Sequence, residues 1–169
     1  MGTINFKTSE FITLGLKPFD VDDYLKDLDF RSWCEESGLD PEEEVYNQIE
    51  EDYKADYENC KSILEKYDFR FFNLSLEWGY YESFSLNIEF NVWVFEDYEQ
   101  KKEAQKEITK IKACLLELID NGLTACSPGW CTSYYSREES KKLIPGAIKD
   151  MRKAVKETQT DKTFVFKIA

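Results

Sequence analysis

A chain of 169 residues with 34 acids against 22 bases, net charge −12, reads as one ordinary domain and argues against broad contact with phosphate backbones or anionic membranes. It has no histidine, which removes the commonest general base near neutral pH and the commonest metal ligand. Aromatic residues make up 15% of the chain, enough to expect a packed core and not a disordered tail.

The first apolar run, "FITLGL" at 11–16, is a short predicted strand, broken by Lys17-Pro18. "DVDDYLKDLDFRSWCEES" then reads as a single helix with Asp20 as N-cap, a buried stripe of Val21, Tyr24, Leu25 and Leu28, and Gly38 closing it. Asp40 as N-cap, Pro41 at the first helical position and Glu43 completing a capping box start the next helix. Val45, Ile49, Tyr53, Tyr57, Cys60, Leu64 and Tyr67 follow at steps of three or four, giving one helix from 41 to about 66, roughly 39 Å long.

The period then changes to two. Phe72, Leu74, Leu76 and Trp78 alternate, as do Phe84, Leu86, Ile88, Phe90, Val92 and Val94, around the connection "GYYES" at 79–83. The spacing predicts an antiparallel hairpin with a long, central second strand over 84–95. A helix over about 97–120 follows, with Asp97 and Gln100 as its capping box and Ala104, Ile108, Ile111, Leu115 and Leu118 facing inward. Its outer face sets Glu99, Glu103 and Glu107 beside Lys102, Lys106 and Lys110, and Gly122 ends it with Leu123 folding back. "LTAC" at 123–126 is a short strand and "SPGWCTSYYS" a loop. The last helix runs from Ser136 to about 157, with Pro145-Gly146 expected to kink or divide it, and "KTFVFKIA" ends as a strand. Helices and strands mix without a βαβ repeat. The fold class is therefore α+β: a largely antiparallel sheet with a central β-hairpin, packed by long amphipathic helices as one domain over 1–169, with an acidic helical segment at 20–66.

Charge is not spread evenly. Residues 20–59 hold 16 acids and three bases (Lys26, Arg31 and Lys54), a net of −13, while the rest holds 18 acids and 19 bases, a net of +1. Over 41–59 the helix carries a net of −7 on about 28 Å, or one charge per roughly 4 Å. A single nucleic-acid strand carries one per about 3.4 Å. Glu42, Glu43, Glu50, Glu51, Asp52 and Glu58 are the candidate partner-binding residues, and a channel lined by Lys and Arg is the surface they would fit. The plainer alternative is a face that keeps the protein in solution.

Other candidates are weaker. The Asp-rich stretch at 20–29 lacks the spaced loop, glycine and terminal glutamate of a calcium site, so no metal or cofactor is expected. No carboxylate pair, Gly-x-Ser-x-Gly or Cys/His arrangement marks an enzyme. The five cysteines (34, 60, 114, 126 and 131) form no Cys-x-x-Cys, and Cys34, Cys60 and Cys114 fit buried thiols on helices. With no leader peptide and no apolar run near 18 residues, an intracellular, reduced protein is expected. Trp78, Tyr80, Tyr81, Trp130, Tyr134 and Tyr135 gather in two connections, and Trp130 and Tyr134 are candidate anchors for a second surface if those loops meet. Lids packed on the core's edge are the alternative.

"GYYESFSLNIEF", the Glu/Lys helix running into "LLELIDNGLTACSPGWCTSYYS", and "EESKKLIPGAIKDMRKAVKET" together resemble a group of uncharacterised phage and prophage proteins. In that group a Gly-Tyr-Tyr-x-x-Phe strand precedes a helix, a Pro-Gly-Trp-Cys-Thr-x-Tyr loop and an amphipathic helix. The resemblance covers about residues 79–157; Ser133 stands where the group has glycine, and Pro145-Gly146 intrude in the last helix. It implies a mobile element acting in a bacterial cytoplasm and carries no activity or catalytic residue. The acidic stretch lies outside it. Resemblance and charge together lead us to expect a non-enzymatic binding inhibitor, anti-CRISPR-like, that mimics nucleic acid. Its partner would be a basic nucleic-acid-binding protein such as a CRISPR nuclease, with no direct contact to nucleic acid or membrane. A phage regulatory or assembly protein with an incidental acidic face is the alternative.

Overall fold

The long predicted helix sits where its start signals place it. In the computed structural model, which describes residues 11–78, 84–90, 92, 94–126 and 134–160, α3 runs Pro41–Glu65 with the Asp40 carboxylate accepting from the Glu42 N–H. Before it come β1 (Leu14–Gly15), α1 (Val21–Lys26) and α2 (Leu28–Glu36). After it come β2 (Phe72–Trp78), β3 (Phe84–Phe90), β4 (Val94–Phe95), α4 (Tyr98–Asp120), β5 (Thr124–Ala125), α5 (Arg137–Glu157) and β6 (Gln159–Thr160). The fold is α+β. Four strands form an antiparallel sheet in the order β2-β3-β1-β5, and β4 pairs in parallel with β6.

The expected hairpin is present, with Phe72 opposite Phe90 and Trp78 opposite Phe84, and β3 is central between β2 and β1. Phe84, Leu86, Ile88 and Phe90 alternate into the core, as the period of two requires. The second strand is shorter than predicted: it stops at Phe90, and Val94-Phe95 belong to the second sheet. Opposite that end, on β2, Glu107 accepts hydrogen bonds from the N–H groups of Arg70, Phe71 and Phe72 at 3.0, 3.0 and 2.9 Å, which withdraws the N–H groups ahead of β2 from a longer ladder beyond Phe90. Glu107 was expected on a solvated surface; it is 7% exposed and holds the start of β2 to α4. Of the Glu-to-Lys pairs three apart, Glu99–Lys102 forms at 3.1 Å, and Glu103 turns instead to Arg70 at 3.2 Å.

The segment predicted as one helix over 20–37 is two. Asp27 is extended, and its carboxylate accepts from the N–H groups of Asp29 and Phe30, capping α2. That single extended residue resets the helical phase, so Leu28 leaves the expected stripe and is 78% exposed. Val21, Tyr24 and Leu25 are half-buried. α2 ends in a Schellman turn: Gly38 has φ +68, and the Leu39 N–H donates to the Cys34 carbonyl at 2.8 Å. α4 ends the same way, with Gly122 at φ +112 and the Leu123 N–H donating to the Leu118 carbonyl, returning Leu123 to the core as expected. Of the kink or division expected at Pro145-Gly146, the division does not occur: α5 is one helix through Pro145. The predicted strand over 162–169 lies outside the described residues.

The core joins the buried side of β3 to Ala104, Ile108, Ile111, Leu115 and Leu118 of α4 and to Ile144, Ala147, Met151 and Val155 of α5. The C-terminal half of α3 belongs to this body. Tyr53 and Tyr57 pack on the Phe84 ring at 5.7 and 5.3 Å between centroids, and Lys66 and Tyr67 at the helix end both bond Glu117 of α4. Cys34, Cys60 and Cys114 are buried and free, as expected. Burial pushes the Cys60 and Cys114 thiols up to about 12, which leaves them unreactive packing groups.

Candidate functional site

α3 has two sides with opposite duties. Val45, Ile49, Tyr53, Cys60 and Ile63 are buried, and opposite them, within an arc of about 100°, stand Glu43, Glu50, Glu51 and Glu58 with Lys54. All four glutamates are exposed, and so is Glu42 in the first turn. Lys54 pairs with Glu50 at 2.8 Å, which lowers that carboxyl below its ordinary range and raises the ammonium, first through the hydrogen bond and then through the opposite charge. Among the described residues this is the one ion pair formed within 20–59.

Asp52 differs from the other candidates. It is half-buried and accepts from the Tyr24 hydroxyl at 2.6 Å and from Gln48 Nε2 at 2.9 Å. It is a tie between α1 and α3, with one hydrogen bond on each carboxylate oxygen. Burial, then the Asp52 bond, then the charges of Asp52 and Asp56 push the Tyr24 hydroxyl well above its usual range, so it remains a donor. Asp56, beside them and half-buried, is itself raised by burial and by the Asp52 charge.

α1 and α2 pack against the N-terminal half of α3 and bring their own acids to the same region. Of the 16 acids over 20–59, 13 are exposed; only Glu44, Asp52 and Asp56 are partly covered. The site is thus an acidic surface spanning three helices, with Lys26, Arg31 and Lys54 as its bases. A further feature had no sequence reading attached. The rings of Phe19, Tyr24, Phe30 and Trp33 follow one another at 6.1, 6.0 and 6.1 Å between centroids, an aromatic row across α1 and α2. The one available signal was the spacing of Phe30 and Trp33, three residues apart on a helix.

The aromatic connections behave differently. Tyr134 is half-buried, bridges Cys126 and approaches Gly15, and the Tyr135 N–H donates to the Ala125 carbonyl at 2.8 Å. Tyr134 therefore closes the base of its loop against the sheet. The two connections leave from opposite ends of β1: the Leu16 N–H bonds Phe84 after the hairpin turn, and the Cys126 N–H bonds Thr13 before the second loop. Trp130, Tyr80 and Tyr81 lie outside the described residues. Among the described residues no three carboxylate or thiol groups converge as metal ligands, and no helix is long and apolar enough to cross a membrane. Comparison with protein-family models, with curated proteins and with solved structures finds no match for this chain.

Proposed function

We propose that the chain is a non-enzymatic binding inhibitor, encoded by a phage, that occupies the basic nucleic-acid channel of a host defence enzyme such as a CRISPR nuclease. One observation carries the reading: residues 20–59 hold a net charge of −13 on three adjacent helices, with 13 of their 16 acids exposed and one internal ion pair. Such a face has uncompensated field for a Lys/Arg-lined groove, and at low salt it would steer association and compete with phosphate. Glu42, Glu43, Glu50, Glu51 and Glu58 are the contacts; Asp52 holds the surface together behind them. The resemblance over 79–157 supplies the phage origin.

Immobilised full-length protein, exposed to bacterial lysate at low salt and eluted with duplex DNA, tests it. The reading expects a basic nucleic-acid-handling protein that DNA displaces. A partner that DNA and high salt both leave in place would reject it and favour binding near Tyr134.

A further inference from the structure

Resting on the reading above and sharpening it, we propose that the aromatic row on α1 and α2 recognises arginine side chains of the partner in preference to lysine. The rings of Phe19, Tyr24 and Phe30 are half-buried and that of Trp33 is 44% exposed, although Phe and Trp are residues that folding normally covers. They stand within or next to the acidic segment 20–59, with Asp20, Asp23, Asp27 and Asp29 exposed between and around them. At one end the row meets a cavity of about 320 Å³ lined by Lys17, Pro18, Phe19, Asp20, Asp23 and Tyr24, two carboxylates against one ammonium.

Rings and carboxylates select a particular cation. An ammonium is compact and strongly hydrated, and it meets a carboxylate as a point charge with little to gain from a ring face. A guanidinium is planar and weakly hydrated; it stacks on ring faces and offers a fork of donors to a carboxylate. The outer surface of α3 supplies mainly charge, with the single exposed ring of Tyr46 at its flank, whereas the row sets several rings and carboxylates within one span. Among the described residues no cation stands over a ring of the row; the one guanidinium over a ring is Arg70 over Phe71, at 5.1 Å, in the body of the protein.

Oligo-arginine and oligo-lysine peptides of equal length, titrated calorimetrically into the full-length protein, test the inference. Oligo-arginine should bind at least about five-fold tighter, the gain from two stacking contacts. Trp33→Leu with Phe19→Leu should bring the two peptides to equal affinity. Trp33→Leu alone, at an exposed position, should remove part of the preference if the double variant fails to fold. Reversing Glu43, Glu50, Glu51 and Glu58 to Lys should weaken both peptides together and keep their ratio. Equal affinities in the parent, or a ratio that Trp33→Leu leaves unchanged, overturns the inference. The peptide ratio is read without any host enzyme, so a missing nucleic-acid-handling partner sinks the proposed function and not this preference.

Discussion

α4 carries Ala104, Ile108, Ile111, Leu115 and Leu118 at no exposure, whereas α1 buries no residue fully and α2 buries only Cys34. Charge follows the same division. In the body, cations reach across elements: Lys66 to Glu117, Arg70 to Glu103, Lys141 to Asp120, and Lys101 Nζ to the carbonyls of Lys156 and Thr158 at 2.6 Å each, closing the end of α5. In the acidic cap formed by α1, α2 and the outer face of α3, Lys54 meets Glu50 on its own helix, one turn away. The body commits part of its charge to ties between elements, beside the intrahelical pairs Lys102–Glu99 and Lys153–Glu157. The cap leaves its charges to solvent, and that is what makes them available to a partner.

The sharpest way to break the comparison is at the two kinds of glutamate. Glu107→Ala should strand three backbone N–H groups at the start of β2 and cost about 3–5 kcal/mol by urea unfolding, with Glu107→Gln recovering part of the loss. A change below about 1 kcal/mol would mean that water replaces the carboxylate freely. Next come the apolar positions. Leu115→Ala should cost about 2–5 kcal/mol through its cavity, against less than about 0.5 kcal/mol for Leu28→Ala on the cap. A large loss at Leu28 would show that the cap is packed in a way its exposure does not reveal.

Smaller effects sharpen the electrostatic half. Reversing Glu43, Glu50, Glu51 and Glu58 to Lys relieves repulsion but removes the Lys54 pair and an acid from the first turn of α3. Stability should therefore shift by less than about 1 kcal/mol. The smallest effect concerns pH. Asp56 faces Asp52, whose other partners are the Tyr24 hydroxyl and the Gln48 amide, and its carboxyl is raised in the folded state. The folded protein then binds the proton more readily than the unfolded chain, so the contribution to stability grows as pH falls through the region just above the ordinary aspartate range. Glu117 and Asp120 in the body are lowered, by Lys66 and Tyr67 and by Lys141, and their contributions fade as pH falls further, through the ordinary carboxylate range and below. Protection factors for amides of α1 and α3, corrected for the intrinsic pH dependence of exchange, should rise slightly on mild acidification, and Asp56→Asn should abolish that rise.

Long periodic segments were legible from the sequence because their caps and apolar spacing agree: Asp40-Pro41 for α3, Asp97 for α4 and Ser136 for α5 stand as expected, while Gln100 accepts from the Glu96 N–H in place of that of Asp97. The hairpin was legible for the same reason, its alternation surviving as far as Phe90. What escaped depends on contacts distant in sequence. Nothing near Glu107 says that its carboxylate will meet Arg70, Phe71 and Phe72, since its neighbours Glu103 and Lys110 suggest a wet helix face. Asp27 did carry a local signal, an acid two residues ahead of Asp29 able to cap its own helix, and the apolar spacing of Leu25 and Leu28 masked it. The acidic surface was visible in the charge count, but the retirement of Asp52 into a bond with Tyr24, 28 residues away, was not.

The most direct test of the central claim is the affinity of the captured partner for the parent protein and for the variant with Glu43, Glu50, Glu51 and Glu58 reversed to Lys, measured across a salt series. The account expects the parent's affinity to fall steeply with salt and the variant to lose most of its binding at low salt, the two converging at high salt. A flat salt response, or a variant that binds as the parent does, would contradict it.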